Sequence, residues 1–308
     1  MLIILYIFLS LFFLNLLLFF LVPKGNNIYE FLHLPFFWLG NFLIKKDNII
    51  SEKMKFGNHW QQYFRIYFPK KNVGDKNHII LYFHGGGWMG GTPEMLTAAA
   101  QLFANHGYAT VLSNYRKAPL FSHPDMREDL TMCLQKLVEY LNSKNLKDKK
   151  IIIGGMSAGA TLAALLAFEQ KELIKIGFDP NRIAGLFLCG SPIDISIMPW
   201  SLPLYLYAGS KNSKKFQQAN PVNHFTKNTK CPILLIHGTK DGMVNYKSTL
   251  SFLEKTKLKD SNQVEFYPLQ DGSHMDSANW SYKNNIQRKI ILDWLEEIET
   301  KKATNFRQ

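Results

Sequence analysis

Residues 151–160 read Ile-Ile-Ile-Gly-Gly-Met-Ser-Ala-Gly-Ala. An apolar, β-branched run that breaks at glycines and leads into a helix-forming run from Thr161 to Phe168 predicts a strand, a sharp turn and a helix, with Ser157 at the apex. Such a turn strains the backbone of the serine, and only small neighbours at Gly155 and Gly159 leave room for strand and helix to approach. The hydroxyl then stands above the sheet, near the amino end of the helix. Alone, the pattern fits equally well a glycine-rich strand-to-helix connection with an incidental serine. The surrounding chain has to decide.

An early strand is expected from Gln62 to Phe68, where Gln62, Phe64, Ile66 and Phe68 alternate with Tyr63, Arg65 and Tyr67. Further strands are expected at His78–Phe83, Tyr108–Ser113, Lys150–Gly154, Ile183–Cys189, Cys231–Ile236 and Gln263–Tyr267. Helices are expected between them: one opened by Thr92-Pro93 and ended by Gly107, one started by Pro124 with Leu130, Cys133, Leu134, Leu137, Val138 and Leu141 in helical register, and a closing helix over Ile286–Ile298. Strands alternating with helices predict a mainly parallel sheet covered on both faces, with the ligand site beyond the carboxyl ends of the strands.

The residues just past each strand end are therefore informative. After Phe83 comes His84-Gly85-Gly86-Gly87-Trp88; after Ile236 comes His237-Gly238-Thr239-Lys240-Asp241; after the last strand comes Asp271-Gly272-Ser273-His274. Serine, acid and histidine arrive in that order. A serine hydroxyl is a weak nucleophile at neutral pH and needs a histidine to take its proton and return it to a leaving group. A carboxylate holds that imidazole in the useful tautomer. Backbone N–H groups of Gly86 and Gly87, joined by that of Ala158, are placed to hold the oxyanion of a tetrahedral intermediate.

These residues resemble the α/β-hydrolase superfamily, specifically the hormone-sensitive-lipase-like esterases, through the His-Gly-Gly-Gly run, the Gly-x-Ser-x-Gly elbow and the order Ser, Asp, His. The resemblance covers roughly Gln62 to Glu297. Position by position it implies Ser157 as nucleophile, Asp241 as the acid, His274 as the base, and Gly86, Gly87 and Ala158 as oxyanion donors. The family's acidic residue before the serine is Met156 here, and its following glycine is Ala160. Asn114-Tyr115-Arg116-Lys117-Ala118-Pro119-Leu120 resembles the Tyr-Arg-Leu-Ala-Pro-Glu stretch but lacks its final acid. These departures bring in neighbouring carboxylesterase, prenylcysteine-methylesterase-like and kynurenine-formamidase-like branches. Rivals to Asp241 are Asp271, close in sequence to His274, and Asp194. His84 is expected to order the oxyanion loop, and His237 to be structural.

The formal charge of +12 over 308 residues comes from scattered lysines without a long basic block, which speaks against a nucleic-acid partner. Cys133, Cys189 and Cys231 are odd in number and far apart, as expected of buried thiols rather than a disulfide framework or metal site. Leu2–Val22 is almost wholly apolar and long enough to span a bilayer. It is followed by Lys24, Lys45 and Lys46, so a retained single-pass anchor with a cytoplasmic catalytic domain is expected.

The expected organisation is an anchor over 1–23, a juxtamembrane aromatic-rich segment over 24–60, an α/β-hydrolase catalytic domain over 61–299 and a polar tail over 300–308. The aromatic segment is expected to lie at the membrane interface, cover the site or pack on the domain. Within the domain, 191–220 is a candidate cap whose apolar, aromatic character suits a greasy pocket. The expected function is hydrolysis of a carboxylic ester of a small apolar substrate, lipids included, through an acyl-enzyme, with no cofactor and no metal. The alternatives are a formamidase or amidase using the same triad, and a non-catalytic binding module.

Overall fold

The computed structural model describes residues 18, 21–70, 76–257 and 263–305. Eight strands form one sheet: β1 (Ile49–Lys55), β2 (Tyr63–Pro69), β3 (His78–Phe83), β4 (Ala109–Ser113), β5 (Lys150–Met156), β6 (Ile183–Cys189), β7 (Ile233–Gly238) and β8 (Val264–Leu269). Their order is β1-β2-β4-β3-β5-β6-β7-β8. β1–β2 and β2–β4 pair antiparallel, and every other pair is parallel. The helices used below are α1 (Asn27–Leu43), α2 (Thr97–Asn105), α3 (His123–Ser143), α4 (Ala158–Phe168), α5 (Gln170–Lys175), α6 (Leu202–Ala208), α7 (Lys214–Ala219), α8 (Lys247–Lys257) and α9 (Ile286–Asn305).

The central strands are buried on both faces, which explains their continuous apolar runs. Successive side chains point to opposite faces. Ile79, Leu81, Ile151 and Ile153 therefore join the core beneath α3 and α4, which includes Leu134 and Leu165. Ile80, Tyr82 and Ile152 join the opposite core beneath α2 and α9, with Phe103, Trp280, Ile291 and Trp294. α3 starts with a capping box between Ser122 and Asp125 followed by Pro124 in the first turn, a sequence that satisfies orphan backbone donors at the helix start. Gly107, with φ +85, closes the turn after α2.

α1, β1, α5 and α8 are additions to the expected elements. β1 carries Glu52, Lys53 and Lys55 on an exposed edge, so no apolar face marks it in the sequence; its charges also discourage pairing with another chain. α1 lies on the domain through Glu30, Phe37 and Asn41, all buried, while Phe31, Phe36, Trp38 and Phe42 are exposed. Phe37 meets the Tyr282 ring edge-on at 5.8 Å.

The expected transmembrane anchor and the cytoplasmic placement drawn from it are corrected here. Among the described residues, no helix is long and apolar enough to cross a membrane. Of the stretch Leu2–Val22, only Leu18, Leu21 and Val22 fall within the described residues. The rest of that stretch lies outside the described residues. α1, the helix that follows, spends its buried face on the domain instead.

Candidate active site

The serine turn forms between β5 and α4. Ser157 has φ 52 and ψ −127, a conformation that costs a side-chain-bearing residue on the order of 1–3 kcal/mol. Its neighbour Gly159 lies against the end of β3: a Cβ there would sit 2.3 Å from the Phe83 carbonyl oxygen. The Ser157 N–H donates to the Cys189 carbonyl at 2.9 Å, tying the turn to the end of β6. α4 is buried along its whole length. Its first N–H groups, including that of Ala158, have no intrahelical acceptor and carry the positive end of the helix dipole.

The acid and the histidine come from the loops after β7 and β8. His274 Nδ1–H donates to Asp241 Oδ2 at 2.6 Å, and both side chains are buried. Asp241 Oδ1 accepts from the N–H groups of Met243 at 2.8 Å and Val244 at 2.7 Å. His237 Nε2 lies 3.1 Å from Oδ2, and its Nδ1 pairs with the Thr249 hydroxyl at 2.7 Å. Burial pushes the Asp241 carboxyl up, but the two imidazoles outweigh it and hold the group well below the usual carboxylate range. Burial pulls His274 down, and Asp241 with Glu30 more than reverses this, leaving the imidazole above its ordinary value. With Nδ1–H committed to the acid, Nε2 is the free acceptor.

His274 also packs against Gly190, where a Cβ would sit 3.1 Å from the ring. Gly190 follows Cys189, whose carbonyl binds Ser157, so serine and histidine flank the same end of β6. The Ser157 hydroxyl has no hydrogen bond among the described residues.

The loop after β3 completes the surround. Gly86 has φ +123 and Gly87 φ +59, and the Gly86 carbonyl accepts from Met89 at 3.1 Å and Gly90 at 2.9 Å. A Cβ at Gly86 would lie 2.4 Å from the Gly90 carbonyl oxygen. Among the described residues, neither the Gly86 nor the Gly87 N–H has a hydrogen-bond partner. Gly85 passes so close to the nucleophile turn that a Cβ there would lie 3.1 Å from Ser157 Cβ.

His84 contacts this loop and its neighbours. Its Nδ1–H donates to the Gly85 carbonyl at 2.7 Å, its ring stacks on Tyr115 at 4.5 Å, and the Tyr115 hydroxyl donates to the His84 carbonyl at 3.0 Å. Burial lowers its pKa to about 4, so the ring is neutral at neutral pH. Lys117 Nζ donates to Asn114 Oδ1 at 2.5 Å, beside His84 Nε2 at 3.1 Å from the same oxygen.

The excursion 191–220 folds into α6 and α7 and lies over this loop. Trp88 stacks on Tyr207 at 4.5 Å with the planes 4° apart, and Pro203 lies 3.7 Å from where a Gly87 Cβ would be. Trp200, Leu202 and Tyr205 remain exposed.

The rival acids sit elsewhere. Asp271 is exposed and pairs with Lys240 at 2.9 Å. Asp194 is buried, and burial pushing it up is outweighed by Lys255, Ser196, Asn220 and Ser251, which hold it at about 2. The three cysteines are free and buried, each thiol pushed up to about 12 by burial. Among the described residues, no group of three or more His, Cys, Asp or Glu could hold a metal ion. A cavity of about 850 Å³ opens at the amino-terminal end of the strands, beside His78, Lys150, Ile183 and Cys231, and includes none of Ser157, Asp241, His274, Gly86, Gly87 and Ala158. Sequence reasoning missed the contact of His237 with Asp241, although the His-Gly pair stands just before the acid, and it missed Glu30, which carries no motif.

The segment 80–194 matches a family described as having the alpha/beta hydrolase fold. An arylesterase of Saccharolobus solfataricus is 32% identical over 111 residues, covering 35% of this chain and 36% of the relative. Arylacetamide deacetylase of Bos taurus is 33% identical over 113 residues, covering 35% of this chain and 28% of the relative. The chain spans about a third of the length of the curated relatives it matches. A solved structure of a truncated carbohydrate esterase from gut microbiota superposes with TM-score 0.73 at 16% identity, covering 83% of this chain and 99% of that one. Sheet order, serine elbow and matched segment agree, and the chain is a protein of the α/β-hydrolase fold.

Proposed function

We propose that this protein is a serine hydrolase that cleaves a carboxylic ester of an apolar substrate through an acyl-enzyme. The observation that carries the reading is the buried 2.6 Å bond between His274 and Asp241 behind a strained elbow serine. Ser157 Oγ attacks the ester carbonyl carbon while His274 Nε2 takes the hydroxyl proton; an Oγ–C bond forms and the carbonyl π pair moves onto oxygen. The N–H groups of Gly86, Gly87 and Ala158 receive that oxyanion. Its collapse breaks the bond to the alkoxy group, which leaves as alcohol with the proton from His274. Water then repeats the sequence on the acyl-enzyme and releases the carboxylic acid. Asp241 keeps its proton-free form throughout and stabilises the imidazolium.

The apolar substrate is read from the excursion beside the oxyanion loop, where Pro203 lies against Gly87 and Trp200, Leu202 and Tyr205 stay exposed. In this reading 191–220 is a cap. The test is hydrolysis of p-nitrophenyl acetate, butyrate, octanoate and palmitate, with an aryl formamide alongside, by the full chain and by Ser157→Ala. Ester turnover that falls on the order of a millionfold in the variant supports the reading. Turnover of the formamide alone selects the amidase reading, and equal inertness of two folded proteins selects a binding module.

A further inference from the structure

Glu30 is fully buried, yet it takes no part in the steps above. From α1 its Oε1 accepts the His274 N–H at 2.7 Å and the Gly242 N–H at 3.1 Å, while Oε2 lies 3.5 Å from the Met275 N–H. One carboxylate thus ties the residue after Asp241 to the backbone of His274 itself. Burying a carboxylate is costly unless its oxygens are satisfied. Apolar packing through Phe37 would hold α1 without that cost. Among the described residues no salt bridge reaches Glu30, and its carboxylate accepts hydrogen bonds only from these two loops.

The rest of α1 and its approach reinforce the same contacts. Lys24 pairs with Asp276 at 2.8 Å, and the Asn26 carbonyl oxygen lies 2.5 Å from where a Gly242 Cβ would be. Asn41 accepts from Ser281 at 2.9 Å.

We infer that Glu30 is a positioning residue: its carboxylate clamps the backbones of the acid loop and the histidine loop in the register that lets His274 meet Asp241. The inference rests on the assignment of Asp241 and His274 as acid and base. The titratable groups facing His274 are Asp241 from the loop after β7, Glu30 from α1, His237 through the shared carboxylate, and Asp276 two residues along, paired with Lys24. Glu30 adds negative charge that favours the imidazolium.

The experiment compares the full chain with Glu30→Ala and Glu30→Gln by melting curves, by kcat and KM on p-nitrophenyl butyrate across the titration range of histidine, and by the low-field proton resonance of the His274 Nδ1–H. Glu30→Ala is expected to lower kcat about ten- to a hundredfold, as a small misplacement of reacting groups does, with KM changed less than about twofold, and to shift or broaden the resonance. Glu30→Gln keeps an acceptor for the His274 N–H and is expected to recover most of kcat, while the acid limb of kcat/KM moves to lower pH because the charge is gone.

A folded Glu30→Ala with wild-type kcat, pH profile and resonance overturns the clamp and leaves the hydrolase reading standing. A wild type inert on every substrate, whose resonance still changes in Glu30→Ala, overturns the hydrolase reading and leaves the clamp standing. Should Glu30→Ala fail to fold, Glu30→Met, which fills the space but accepts no hydrogen bond, decides: a shifted or broadened His274 resonance with lowered kcat supports the clamp, and wild-type values of both overturn it.

Discussion

The two sides of the site are built by different physics. The proposed oxyanion side, 84–91, is held by backbone geometry: positive φ at Gly86 and Gly87, close backbone approaches, and a His84 ring kept neutral. The acid–base side, the loops around Asp241 and His274, is held by charge: two imidazoles on one carboxylate, and a second carboxylate on the loop backbones. Donors that receive a transient negative charge gain from rigidity, since they cost no reorganisation when the charge appears. Groups that move a proton need tuned affinities for it, and only charge and burial supply those. The difference makes one side sensitive to volume and the other to protonation.

The largest effect that separates the sides is expected from Asp241→Asn. The shape is kept, but the carboxylate that fixes the His274 tautomer is lost, so kcat should fall about ten-thousandfold, and the melting temperature should fall as well because the buried charge that two imidazoles stabilise is gone. A drop under about tenfold would mean that charge does not hold this side. Gly86→Ala is the counterpart. Its methyl group meets the Gly90 carbonyl at a positive φ, so the loop must shift, with about a hundred- to a thousandfold loss in kcat and a lower melting temperature. Unchanged kcat would show that the donors lie elsewhere.

The pH profile sharpens the contrast. His274 must be neutral to accept a proton, and its affinity is raised, so kcat/KM should climb with pH through an ionisation above the ordinary histidine value. In Asp241→Asn that limb should move to lower pH. On the oxyanion side, burial lowers Lys117 to about 8, and Lys117 supports Asn114 beside His84. An alkaline limb is therefore expected that Lys117→Met removes while the acid limb stays; an alkaline limb surviving in that variant would separate Lys117 from the site. The smallest effect is expected for Lys24→Ala, which breaks a partly exposed ion pair with Asp276 and should cost under about 1 kcal/mol by denaturant titration. A larger cost would make the approach to α1 a structural support of the acid–base side.

Much of the frame was legible because it is written locally. The break from Ile153 through Gly155 to Ser157 and the α3 start at Ser122-His123-Pro124 each specify their own backbone over a few residues. Asp241 and His274 could be paired from their places after successive strands, since a parallel sheet puts strand ends on one edge. The expected anchor is not found among the described residues, where no helix is long and apolar enough to cross a membrane, and most of Leu2–Val22 lies outside them. β1 was missed because an exposed edge strand has no apolar alternation to read, and α8 because Lys247, Lys255 and Lys257 dilute its apolar register.

The alternation of strands β2–β8 with their major helices, the elbow at Ser157, and the set of side chains able to meet at the strand ends were carried by the linear chain. That His237 shares the carboxylate of Asp241, and that Glu30 reaches the backbone of His274 across 244 residues of chain, emerged only in three dimensions. Strand and turn signals are local free-energy preferences, whereas a buried carboxylate finds its donors only after separate loops have been packed within hydrogen-bonding distance of it.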